Sequence, residues 1–131
     1  MNTFLAIFIA GGLGAASRYA VYDACRRPSL EHFPYATLVV NVLGCLLIGL
    51  VGAALFAKMP EREVLRDAVL IGFLGGFTTF SAFSADVLRL VHTGEHGKAL
   101  AHIAMHFALC LGAVWVGHLL GVSIWGKGQS A

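Results

Sequence analysis

Charge is what this sequence has least of. Asp, Glu, Lys and Arg make up 12% of its 131 residues, where a soluble domain carries roughly a quarter. Hydrophobic residues account for 58% and the mean hydropathy is +0.79, so too little polar surface exists to cover a soluble globule. Basic runs interleaved with aromatics are absent and the formal net charge is only +2, which gives no support to nucleic-acid binding. Cysteine is scarce: Cys25, Cys45 and Cys110 are odd in number and far apart, which argues against a disulfide framework and against paired-cysteine zinc sites. They read as small buried apolar residues. The N-terminus, Met-Asn-Thr-Phe-Leu, has no basic residue ahead of its apolar stretch, so that stretch reads as a retained helix and not a cleaved signal. No Ser-His-Asp order, paired carboxylates or phosphate-binding loop can be assembled, so the chain does not read as an enzyme.

What is present in quantity is uncharged sequence. The stretches 1–17, 33–57, 68–85 and 99–126 contain no Lys, Arg, Asp or Glu, and each is close to or beyond the roughly 20 residues that span a bilayer. The expected architecture is therefore all-α: one integral membrane domain over 1–131, with helices at about 3–22, 35–56, 67–92 and 99–122. The third helix is expected to break near 75–79, where Gly75-Gly76-Phe77-Thr78-Thr79 suits a broken helix better than a continuous one. The first connection holds Arg26, Arg27, Pro28 and Glu31. Lys and Arg near the helix ends choose the cytoplasmic side. Lys58, Arg62, Arg66 and Lys127 fall on one side, and Arg18, Arg26, Arg27, Arg89 and Lys98 on the other. So even a division permits insertion in both orientations, and hence an antiparallel homodimer. Gly72 with Gly76, and Gly117 with Gly121, have the spacing that lets helices approach closely in lipid, which suggests assembly.

Polar groups inside a bilayer are costly unless partnered or wet, so they are the candidates for function. Asn41, within the second span, offers two N–H donors and an acceptor; its reading divides evenly between a pore lining and a helix-to-helix hydrogen bond. Thr78, Thr79, Phe80, Ser81, Phe83 and Ser84 form the densest cluster. Phe80 and Phe83 share a helix face, and the electropositive edges of two rings beside hydroxyl and amide donors would suit a small anion, although phenylalanines at this spacing also pack cores. The glycine-rich break frees backbone carbonyls, which a sodium-like cation, water or hydroxyls can satisfy. His102 and His106 are four apart but lack a third metal ligand, and both read as hydrogen-bonded. Asp86 is the carboxylate inside the third span, placed to pair with Arg18 or Arg89 or to line a vestibule.

Three segments carry a family resemblance: Gly11-Gly12-Leu13-Gly14-Ala15-Ala16-Ser17-Arg18-Tyr19, Thr37-Leu38-Val39-Val40-Asn41-Val42-Leu43-Gly44, and Gly72-Phe73-Leu74-Gly75-Gly76-Phe77-Thr78-Thr79-Phe80-Ser81-Ala82-Phe83-Ser84. Here the chain resembles the Fluc family of fluoride channels, also called CrcB, and the resemblance extends over all four spans. It implies a dual-topology antiparallel homodimer in the cell membrane, a bacterial inner membrane, with two anion pores and one structural sodium ion at the dimer interface. By the same resemblance Phe80 and Phe83 are pore phenylalanines, Asn41 a pore amide, and Ser81 and Thr79 belong to the pore motif. Gly75 and Thr78 are donors of backbone carbonyls to sodium, and Arg18 and Asp86 have vestibule or structural roles. On the fourth span the alignment puts His106 and Cys110 on the polar track, with Val114 where a hydroxyl residue stands. The implied activity is passive export of fluoride from the cytoplasm, reducing its toxicity. The competing reading is a small four-helix proton-coupled multidrug transporter, which would want a carboxylate deep in a helix; the first span has none.

Overall fold

The computed structural model describes residues 2–25 and 33–126. Among them every regular element is helical. Helix α1 spans Thr3–Ala24, opened by Asn2, whose side-chain oxygen accepts from the Phe4 amide at 3.1 Å in the usual manner of an N-cap. Helix α2 spans Tyr35–Lys58. The third span begins at Glu63–Asp67, widens into a π-helical stretch Ala68–Leu74, and ends in the turn Gly75–Phe77; these pieces together are α3. After Thr78 and Thr79 the chain resumes as α4, Phe80–His92, and α5 covers His96–Trp125. Four helical segments are long and apolar enough to cross a membrane: Thr3–Ala24, Tyr35–Lys58, Glu63–His92 and His96–Trp125.

The third span is interrupted where the glycine-threonine run predicts it. Thr78 (φ −76°, ψ 159°) and Thr79 (φ −153°, ψ 113°) are extended, a conformation that their β-branched side chains favour. Thr79 then caps α4, its hydroxyl oxygen accepting from the Ala82 amide at 3.1 Å. The helices run further than their uncharged cores suggest: the third span starts at Glu63 rather than near 67, and α5 begins at His96 and ends at Trp125. Polar residues at a helix end still gain the intrahelical hydrogen bonds, and the interface tolerates them. Between α4 and α5 the turn closes with Gly94 at φ +77°. There the Gly94 amide donates to Val91 and the Glu95 amide to Leu90, a paired closure that needs a left-handed residue after the helix.

Packing is organised by two glycine seams. A methyl group on Gly14 would lie within 3 Å of the Phe73 and Phe77 backbone, one on Gly76 would collide with the Gly11 carbonyl, and one on Gly72 would press on Ile7 and Ala10. This seam holds α1 against α3. The second holds α2 against α5, with Gly49 lying on Val114 and His118, Gly117 on Leu46 and Leu50, and Gly121 on Ala53 and Leu50. Both glycine pairs that the sequence assigns to assembly are therefore used inside one chain. Close backbone approach earns van der Waals contact where lipid offers no hydrophobic drive between helices. The interior thus formed is small: 11% to 28% of each span's apolar window is buried. Arg26, Arg27, Pro28, Glu31 and Lys127 lie outside the described residues.

Candidate functional site

The break between α3 and α4 is held open by one side chain. Asn41, on the buried face of α2, accepts from the Thr79 amide through Oδ1 at 2.8 Å and donates from Nδ2 to the Thr79 carbonyl at 3.0 Å. Both halves of its amide are thus spent on the backbone of the extended residue, in place of the helical partners that Thr79 has lost. The sequence offers Asn41 as a pore amide or an interhelical tie; it makes the tie and also lines the groove beside the break, with one N–H of its amide not used by Thr79. Turning the Thr79 amide toward Asn41 also takes from the Gly75 carbonyl its α-helical donor. The Thr78 carbonyl, the other expected cation ligand, accepts from Arg18 Nη1 at 3.1 Å. Arg18 therefore reaches the break, and it is Arg89, not Arg18, that faces Asp86, at 3.7 Å.

Around the break lies a groove of about 350 Å³. Helix α2 contributes Asn41, Gly44 and Cys45; the break and α4 contribute Thr78, Thr79, Phe80 and Phe83; α5 contributes His106, Phe107 and Cys110. Phe80 and Phe83 lie 5.4 Å apart between ring centroids at a 47° tilt, yet their surroundings differ. Phe83 is 7% exposed, wedged against His106 at 4.4 Å, while Phe80 is 73% exposed on the open side. Gly44 is required here because a methyl group at that position would run into the Thr78 side chain. Cys45 and Cys110 both line the groove, from α2 and α5. One expected pore residue is not on its wall: Ser81 is exposed, its hydroxyl 3.2 Å from that of Thr79. Gly75, expected as a carbonyl donor to a cation, lies one turn before the break.

Beyond one end of the groove runs a polar chain that the sequence reading did not assemble. Thr37, one turn before Asn41 on the same face of α2, donates to Asp86 Oδ2 at 2.6 Å. Its single proton being committed, it accepts from the Tyr22 hydroxyl, 3.2 Å away. His102 Nε2 lies 3.9 Å from the same carboxylate oxygen, and the His102 and His106 rings meet edge to face at 4.3 Å. The four-residue spacing of Thr37 from Asn41 was the available signal for Thr37; nothing in the sequence pairs Tyr22 with it. A larger apolar hollow of about 730 Å³ lies between the far ends of α2 and α5, lined by residues such as Gly52, Phe56 and Trp115, and Val114 of the expected fourth-span track faces it instead of the groove.

Comparison with known proteins agrees with the segments that surround this groove. Residues 5–118 match the family model described as CrcB-like protein, Camphor Resistance (CrcB). A protein of Opitutus terrae named fluoride-specific ion channel FluC is 41% identical over 131 residues, covering 95% of this chain and 96% of that one. A namesake from Geobacter sulfurreducens is 40% identical over 117 residues, covering 89% and 94%, and one from Coxiella burnetii is 36% identical over 122 residues, covering 92% and 98%. With both the family model and near full-length relatives matching, the chain belongs to the CrcB family.

Proposed function

We infer that the chain is a fluoride-specific ion channel, a multi-pass membrane protein that passes an ion and catalyses no reaction. The observation that carries this is the near full-length identity to relatives bearing that name, and the groove supplies a physical route to it. Its wall joins two phenylalanine rings to the Thr79 hydroxyl, the Thr78 hydroxyl donating to the Leu74 carbonyl, and carries no Lys or Arg side chain. Ring edges and hydroxyl donors replace part of an anion's hydration without the fixed positive charge that would hold it too long for conduction. Export follows from the membrane potential, which drives an anion out of a negative interior by about 2.3 kcal/mol per 100 mV. A bacterial inner membrane is the setting this implies.

The finer assignment is also ours. Phe80, Phe83, Thr79, His106 and Cys110 form the fluoride path, with Ser81 at its margin and Asn41 fixing its backbone. The assembly is an antiparallel homodimer, supported by the exposure of Phe80 and of the open groove, which a second copy would cover. Sodium sits where two breaks meet on the twofold axis, held by the Gly75 and Thr78 carbonyls of both chains. The donor set fits: neutral carbonyl oxygens at an unwound segment are the usual sodium ligands in membrane proteins, Gly75 has lost its helix donor, and the Thr78 oxygen keeps a second lone pair beside Arg18. Bound there, the ion would supply positive charge that ties two freed backbones together. The multidrug-transporter reading gains nothing, because Asp86 is engaged by Thr37 and Arg89 and not available to a cationic drug.

The test is fluoride efflux from potassium-loaded liposomes containing the purified protein, with valinomycin, a fluoride electrode and chloride as the paired ion. Rapid fluoride release with chloride retained is expected. A folded protein that releases neither ion, with sodium on both sides, would remove the channel assignment.

A further inference from the structure

A cluster that meets the groove wall at His106, with His102 buried behind it, has incomplete hydrogen bonding. His102 is 0% exposed, and neither of its ring nitrogens has a hydrogen-bond partner; His106 Nε2 is likewise buried and unpartnered. An unsatisfied buried polar atom costs about 1–3 kcal/mol, so three in one cluster call for a reason. In the uncharged state the tautomer of His106 is fixed by geometry: Nδ1 donates to the His102 carbonyl at 3.0 Å, which leaves Nε2 with a lone pair. No donor meets that nitrogen, and His102 Nε2 faces the Asp86 carboxylate at 3.9 Å. The contact with Asp86 improves when a proton is added, because a carboxylate accepts and does not donate.

The charged and titratable neighbours come from every element packed around the pair. Helix α4 presents Asp86 and Arg89, and α2 presents Thr37, Asn41 and Cys45. Tyr22 of α1 joins through the Thr37 hydroxyl. At the start of α5, Glu95, which precedes the helix, pairs with Lys98 at 2.8 Å, and Cys110 lies one turn beyond His106. Phe83 touches both rings, at 5.4 Å from His102 and 4.4 Å from His106, and an aromatic face within about 6 Å stabilises a cation. His106 and Phe83 also line the groove.

We propose that His106, in the wall of the ion path, and His102, buried behind it, form a proton-binding site, and that a proton on this pair and fluoride in the groove bind cooperatively. The site rests on the fluoride reading and adds a second ligand to it. A positive imidazolium and an anion a few ångströms apart in a medium of low dielectric attract strongly, and the coupling is reciprocal, so each tightens the binding of the other. If one proton accompanies each fluoride, the half-saturating fluoride concentration falls by up to tenfold per pH unit while the pair is mostly neutral.

Two measurements test this. The first is the fluoride dependence of efflux at several values between about pH 6 and pH 8, the range in which histidines titrate, with protein-free vesicles subtracted. The native chain is expected to lower its half-saturating fluoride concentration at least threefold toward the acid end, and the double variant His102→Phe with His106→Ser to show none of this slope. The second needs no variant. Native protein in weakly buffered detergent at about pH 7 should take up protons when sodium fluoride is added and not when sodium chloride is. Fluoride-selective efflux with no pH slope, an unchanged slope in the double variant, or no proton uptake overturns the proposal and leaves the channel standing. An absence of fluoride efflux at every pH would instead remove the channel reading itself.

Discussion

A single amide decides the geometry of the break. The Asn41 side chain carries both hydrogen bonds to Thr79, and substituting it strands a buried N–H and C=O, each worth about 1–3 kcal/mol. Asn41→Ala is therefore expected to destabilise the protein by roughly 2 kcal/mol or more in a detergent unfolding series, with fluoride efflux lost alongside. Asn41→Asp keeps an acceptor for the Thr79 amide but sets a second acceptor against the Thr79 carbonyl, so it too should lose both stability and flux. Full stability with lost flux in both variants would return Asn41 to direct contact with the ion. The importance of Asn41 was legible in the sequence because an amide amid Val40 and Val42 needs a partner. Its partner was not, since Thr79 lies 38 positions away and hydrogen-bonding potential alone does not choose among distant backbones. The same limit applied to His102 and His106, read as hydrogen-bonded, of which only one of four ring nitrogens has a partner.

Among the elements, the seams are more demanding than the caps. Gly76 lies against the Gly11 backbone, and backbone cannot rotate aside as a side chain can. Gly76→Ala is expected to push α1 off α3 and to cut the yield of monodisperse protein severely. Gly12→Ala, with nothing within 4 Å of the added methyl, should leave yield and melting temperature unchanged or raise them slightly, as alanine favours a helix over glycine. Equal behaviour of the two in size-exclusion profiles and thermal melts would show that α1 can shift to make room. The four spans and the broken third helix follow from hydropathy and from glycine and threonine content. The π-helical stretch Ala68–Leu74 was not legible, because a widened turn is set by how α3 fits α1 and has no composition of its own.

For the whole molecule, the lone chain leaves its own site half covered. Phe80 is 73% exposed beside Phe83 at 7%, and no interior of the single chain closes over it. Light scattering with detergent correction is expected to give twice the 13.9 kDa chain mass. A single-chain mass for protein that still conducts fluoride would sink the homodimer and, with it, a sodium site shared across a twofold axis.

Hydropathy alone determined that this protein lives in a membrane as four spans, since uncharged runs of bilayer length have no other stable setting. The local chemistry of the Gly75–Thr79 run determined where the third span parts. The tertiary structure decided what those polar residues touch: Asn41 and Arg18 hydrogen-bond to the backbone of the break, Thr37 holds Asp86, and two histidines are packed around Phe83 with three of their four ring nitrogens unpartnered. These choices depend on which helix faces meet. Two glycine seams set those faces by letting backbones touch, and contact between distant segments is a property of the folded chain that no local pattern encodes.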